Sequence, residues 1–143
     1  MPLARWRDSM SLDYPPLDDE QKAFLQVVNA SYMAVQAKDL SGIEGTFKEC
    51  YAYVRAHLSH EENLMQKMRF PDIENHMKAH QVFISKLAQM KQAFDAAQTS
   101  EEQQTVALHF SNFLNVWFLA HITGPDRLLK PYLRRLRMKN NPR

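Results

Sequence analysis

Six residues able to bind a metal fall into three short spacings along this chain: His57 with Glu61, His76 with His80, and His121 with Asp126. The first two pairs are four residues apart, which on an α-helix puts both side chains on one face, one turn apart. Imidazole nitrogen and carboxylate oxygen form a mixed donor set that iron or manganese accepts from one protein site. His121 and Asp126 are five apart, about 140° around an ideal helix. Gly124 and Pro125 lie between them, and Pro125 has no N–H to offer the carbonyl of His121. Either a wide π-type turn returns the two side chains to one face, or the helix ends there. Structural zinc prefers four ligands and commonly includes cysteine, so six mixed donors point to two ions instead. Without a cation, each uncompensated polar group buried together in a small core costs a few kcal/mol, and a buried charge more. A divalent metal removes that cost.

Rigid elements must bring these donors together. Residues 17–38 carry Gln21, Leu25, Val28, Tyr32 and Val35 at steps of four and three. Residues 41–68 carry Ile43, Phe47, Cys50, Val54, His57, Glu61 and Met65. Residues 72–96 repeat the pattern with His76, His80, Phe83, Leu87, Met90 and Phe94. A fourth stretch opens at Ser100, with Gln103 three residues on as a capping-box signature. It presents Val106, Phe110, Phe113, Trp117 and His121. Each stripe has the period of an amphipathic helix. The expected fold is all-α, an up-down-up-down four-helix bundle over residues 17–133. An extended arm, residues 1–16, precedes it; Pro15-Pro16 disfavours helix there and Trp6 pins the arm to the body. A basic tail, residues 134–143, follows. Helices two and four run the same way and carry their donors late, while helix three runs opposite and carries its pair early. All three donor sets therefore meet at one end of the bundle.

Composition narrows the function classes. A chain of 143 residues makes one domain with a continuous core. The net charge of +2 is too small to imply a nucleic-acid partner. The single cysteine, Cys50, allows no internal disulfide, fits a reducing compartment, and packs on an apolar stripe. No apolar run approaches the ~20 residues of a membrane span. Met1 to Pro16 lacks the apolar core of a secretory signal, so a cytoplasmic location is expected. From Lys130 to Arg143 the cations are expected to form a solvated tail, with docking on an acidic partner or an anionic membrane surface as the alternative. Phe24, Leu25, Trp117 and Phe118 are expected to line a dry pocket. His60 is expected to be partly exposed and His109 to lie on the surface.

The segment His57-Leu58-Ser59-His60-Glu61-Glu62-Asn63-Leu64-Met65 resembles the second-helix motif of the haemerythrin family, particularly its single-domain bacterial members. Phe70-Pro71, His76 and His80 follow at that family's spacing, and Trp117-Phe118-Leu119-Ala120-His121-Ile122, ending at Asp126, resembles its fourth-helix motif. The likeness runs from about Trp6 to Leu133. It implies two non-haem irons bridged by Glu61, Asp126 and a solvent-derived oxygen. His76, His80 and His121 would hold one iron, and His57 with a first-helix histidine the other, where oxygen binds. The chain departs there. Leu17-Asp18-Asp19-Glu20-Gln21-Lys22 has Gln21 where that histidine is expected, so Gln21 is a candidate seventh ligand with a weaker amide donor. His60 and Glu20 are the alternative substitutes. A second site with harder donors is expected to lose its metal sooner or oxidise faster, and admits manganese.

The expected function is dioxygen binding for carriage, storage or delivery, with peroxide and nitric oxide as other small ligands. An oxygen- or peroxide-activating enzyme of oxidase or peroxidase type is the alternative, and a redox or oxygen sensor the third reading.

Overall fold

The structure, a computed structural model, describes residues 3–140; Met1 and Pro2 of the arm and residues 141–143 of the tail, Arg143 among them, lie outside the described residues. Helix α1 spans Pro15–Gln36. Pro15 and Pro16, expected in the extended arm, form its first turn instead. N–H groups there have no intrahelical partner, so nothing is lost by their absence and the fixed φ of proline suits the helix. At the other end Lys38 takes the left-handed conformation, φ 55°. The Asp39 N–H reaches the carbonyl of Ala34 and the Lys38 N–H that of Val35, which satisfies the last carbonyls.

Helix α2, Leu40–Tyr53, starts at Asp39, whose side chain accepts from the Gly42 N–H. It runs without a break through a π-helical turn, Val54–Leu58, into α3, Ser59–Lys67. Helices α4, Ile73–Ala96, and α5, Ser100–Thr123, complete a bundle of four rods. The α5 cap is one residue earlier than Ser100: Thr99 Oγ1 accepts from the Glu102 N–H, and the Glu102 carboxylate accepts from the Gln98 N–H. Gln103 instead donates to the carbonyl of Phe94. After α5 come a 3-10 turn, Pro125–Leu129, and α6, Lys130–Asn140. No strand occurs among the described residues.

Helix α1 packs against α2 and α5, and α4 against α5 and α3. Two apolar clusters hold the rods together. The larger contains Phe24, Phe47, Phe83, Phe94, Phe110 and Phe118, all fully buried, with Phe47 stacked on Phe110 at 3.9 Å. Burying each such ring contributes about 1.5–3 kcal/mol. The smaller joins Leu12 of the arm, Leu17, Leu64, Met65 and Phe70 to Leu129 and Leu133. Asp13 ties the arm to α6, its carboxylate meeting Arg134 and Lys130 and its carbonyl accepting from Arg137. On every rod the expected metal donors fall between residues of the larger cluster and residues of the smaller. No helix among the described residues is long and apolar enough to cross a membrane.

Candidate metal centre

Two i, i+4 pairs and one turn build a polar layer between these clusters. The α2–α3 rod supplies His57 and Glu61, both buried, with His57 Nε2 3.3 Å from Glu61 Oε2. The π turn ends at Leu58, one residue after His57. Its extra residue per turn puts Tyr53, not the expected Val54, on the buried stripe ahead of His57. Helix α4 supplies His76 and His80, whose Nε2 atoms lie 2.5 and 3.1 Å from Glu61 Oε1.

Helix α5 supplies His121, and the 3-10 turn supplies Asp126. The helix ends at Thr123, and no wide π turn is needed to join these two. Asp126 Oδ1 sits 3.0 Å from His121 Nε2 and 3.1 Å from His76 Nε2. Gly124 permits this exit, because a Cβ there would stand 2.8 Å from the carbonyl oxygen of Ala120. Glu61, His76, His80, His121 and Asp126 each offer one donor atom within 4.8 Å of the others, and all are buried.

Carboxylates outside this group decide which imidazole nitrogen faces inward. His57 Nδ1–H donates to Glu20 at 2.9 Å, and His80 Nδ1–H donates to Glu62 at 2.9 Å. Each leaves an Nε2 turned to the centre, the usual way an outer carboxylate fixes the tautomer of a metal-binding histidine. Aromatic rings close the sides: Tyr53 stacks on His57 at 4.9 Å and Trp117 on His121 at 4.5 Å.

The electrostatics call for positive charge. Burial disfavours imidazolium at His57, but hydrogen bonds to Glu20 and Glu61 and the nearby charges prevail, raising it to about 9. His76 and His121 are likewise raised to about 9 against burial, mainly by Asp126 and Glu61. Burial would raise the Glu61 carboxyl, yet hydrogen bonds from His121, His57, His76 and His80 hold it well below the ordinary range. Even so, His57 Nε2, Glu61 Oε2 and Asp126 Oδ1 make no well-aligned hydrogen bond among the described residues, although ionic partners stand 3.0–3.3 Å away. His80 Nε2 and His121 Nε2 also face each other at 3.2 Å. Buried polar atoms left poorly satisfied are costly, and lone pairs of nitrogen and oxygen aimed at one point suit a cation.

The six donors expected from spacing thus lie in one layer. Gln21 joins them, buried, but both ends of its amide are engaged: Nε2 donates to Asp126 Oδ2 at 2.8 Å and Oε1 accepts from the Tyr53 hydroxyl at 3.0 Å. His60 is partly exposed and pairs with Glu20, and His109 is exposed. Phe24, Leu25 and Phe118 are buried beside the layer, and Trp117 is half-buried. Tyr53 and Glu62 were missed as contributors, and Glu20, expected as an alternative ligand, instead accepts from His57 Nδ1. Tyr53 had a readable signal, four residues before His57; the carboxylates had only their neighbours Gln21 and Glu61.

Residues 13–133 match the family model described as the Hemerythrin HHE cation binding domain. The chain belongs to the haemerythrin family. The match extends from the arm through every donor named above into α6. A bacteriohemerythrin of Stenotrophomonas maltophilia (strain R551-3) is 25% identical over 128 residues, which cover 89% of this chain and 79% of that one. A myohemerythrin of Theromyzon tessulatum is 26% identical over 125 residues, covering 85% of this chain and 87% of its own. A myohemerythrin of Sipunculus nudus is 32% identical over 92 residues, 64% and 72% of the two chains. The cation-binding description of this haemerythrin domain agrees with the chemistry of the donor set and its poorly satisfied atoms.

Proposed function

We propose that this haemerythrin-family chain is a non-haem di-iron protein that binds dioxygen reversibly, for carriage, storage or delivery. One observation carries the reading: five buried nitrogen and oxygen donors from four elements within 4.8 Å of one another, beside His57 Nε2 and Glu61 Oε2, which make no well-aligned hydrogen bond. His76, His80 and His121 would hold one cation together with Glu61 and Asp126. His57 would hold the second, with the two carboxylates shared. Ferrous ions in such a site supply the electrons with which dioxygen is bound; manganese is the alternative beside His57, where oxygen donors dominate.

The chain's own residues do the rest. Glu20 and Glu62 keep Nδ1 of His57 and His80 protonated and their Nε2 free. Tyr53, Trp117 and the rings behind them exclude water, which strengthens every electrostatic contact inside. We place the protein in the cytoplasm, in keeping with its lone buried thiol. The names of the bacteriohemerythrin and myohemerythrin relatives support the family's chemistry. One feature favours a second reading, an oxidase- or peroxidase-like enzyme: the half-exposed Glu20 joins surface His60 to buried His57, a proton route that a carrier does not require.

The test is spectroscopic. The purified protein is reduced anaerobically with two ferrous ions per chain and then given oxygen. A visible band that persists and bleaches under vacuum is expected. Immediate conversion to the ferric form, with hydrogen peroxide consumed over many cycles, contradicts carriage and marks an enzyme.

A further inference from the structure

The two halves of the donor layer are not equivalent, and the difference lies in Gln21. On one side, Nε2 of His76 and His121 both lie within 3.1 Å of Asp126 Oδ1, while His76 and His80 reach Glu61 Oε1. On the other side, His57 Nε2 and Glu61 Oε2 lie 3.3 Å apart, and neither makes a well-aligned hydrogen bond. The remaining oxygen on that side, Asp126 Oδ2, is already taken. The Gln21 amide donates to it at 2.8 Å, and the Tyr53 hydroxyl donates to Gln21 Oε1 at 3.0 Å. Gln21 is 1% exposed and Tyr53 7%, so neither amide nor hydroxyl can exchange its partner for bulk water. Tyr53 is itself fixed, stacked between Phe24 at 3.8 Å and His57 at 4.9 Å.

We propose that Gln21, oriented by Tyr53, is a clamp on Asp126 rather than a metal ligand, so that the chain builds one five-donor cation position and one depleted, exchangeable position at His57. The inference rests on the metal-binding reading above. The hydroxyl turns the amide so that its N–H groups face Asp126 and its oxygen faces away. An N–H carries partial positive charge and cannot coordinate a cation. A second cation must therefore displace this hydrogen bond to gain Asp126 Oδ2. The clamp also fixes the carboxylate plane, which keeps Oδ1 aimed at His76 and His121. Gln21 and Tyr53 are thus positioning residues for the five-donor position and competitors at the other.

Ferrous ion is titrated anaerobically into the chelated full chain, and bound metal is counted by equilibrium dialysis. Two separate steps are expected, the second weaker by about tenfold or more, the scale of effects from outer partners of metal ligands. Gln21→His is expected to close that gap. Gln21→Leu removes the amide at nearly constant shape and leaves the second step undiminished, whereas a true ligand at this position would make the second step fall. Tyr53→Phe frees the amide to turn its oxygen inward and raises second-step affinity about severalfold on that same scale. A purely packing role for Tyr53 would lower both steps together. Two equal steps in the unmodified chain, or loss of the second step in Gln21→Leu, overturns the clamp while leaving the metal reading intact. Absence of any bound ferrous ion overturns both.

Discussion

Glu61 has more of the site within its reach than any other side chain described here. Its fully buried carboxylate lies 2.5, 3.1, 3.3 and 3.9 Å from the imidazoles of His76, His80, His57 and His121. Around it, charge must balance. In the chelated protein that balance is made by protons, and the pH dependence follows. His57, His76 and His121 rise from 6.5 to about 9 on folding, so their stabilisation is complete below about 6.5 and is lost as pH climbs through 9. Glu61 moves the other way. Its contribution is present above the ordinary 4.5 and is lost as pH falls through its lowered folded value. Chelated protein should therefore be most stable between about 4.5 and 6.5 and should weaken from 6.5 to 9. Metal-loaded protein should gain over that same interval, because protons and metal compete for the same nitrogens. Urea midpoints of both forms across this range check the sign, and parallel profiles would refute it. A second prediction concerns Glu20, whose carboxylate is held low against burial by His57 and His60. Glu20→Gln should weaken metal binding by roughly 10–100-fold with little loss of helix, measured by chelator competition and circular dichroism. At this scale the donors were readable because i, i+4 spacing fixes a face before any tertiary contact exists. Glu62 was not, and Glu20 was read only as a substitute ligand, because each meets its histidine across two different rods.

Among the elements, the turns decide where donors point. Gly124 is the sharpest case, since a Cβ would press on the backbone of Ala120 with no flexible side chain to yield. Gly124→Ala should shift the Pro125–Leu129 turn, withdraw Asp126 and lower metal content, while Gly45→Ala, whose Cβ would meet nothing within 4 Å, should not. Metal counts on the two purified variants check this. Lys38 and Arg69 close α1 and α3 in the left-handed conformation, φ 55° and 51°. Replacing either with glycine should stabilise the fold by about 0.5–1 kcal/mol, seen as a raised melting temperature. The four rods were legible because their apolar period is helical over twenty residues or more. Their details were not. The π turn at 54–58 exchanges Tyr53 for Val54 on the buried stripe, and nothing local in Val54-Arg55-Ala56 announces it. The α5 cap shifted by one residue because Thr99 and Ser100 are both good caps, and the Glu102 carboxylate reaching the Gln98 N–H decides between them.

For the whole molecule, the arrangement is a polar layer sealed by apolar packing above and below. Sequence placed the donors at one end of the bundle with hydrocarbon at the other; the second apolar seal was not visible there, because Leu12 lies in the expected arm and Leu129 and Leu133 lie beyond the last periodic stripe. Burial cuts this layer off from bulk solvent, so its charges are balanced from within and cation binding is expected to stabilise the fold. The most direct test of that claim is the melting temperature of one preparation, chelated and then reloaded with ferrous ion under anaerobic conditions. Free metal at about a hundred times the dissociation constant adds about 2.7 kcal/mol, which for a chain of this length raises the midpoint by roughly 5–10 °C. The account predicts that rise together with bound metal, and its loss in Glu61→Gln. Identical melting curves with and without the ion, and no metal retained, would contradict it.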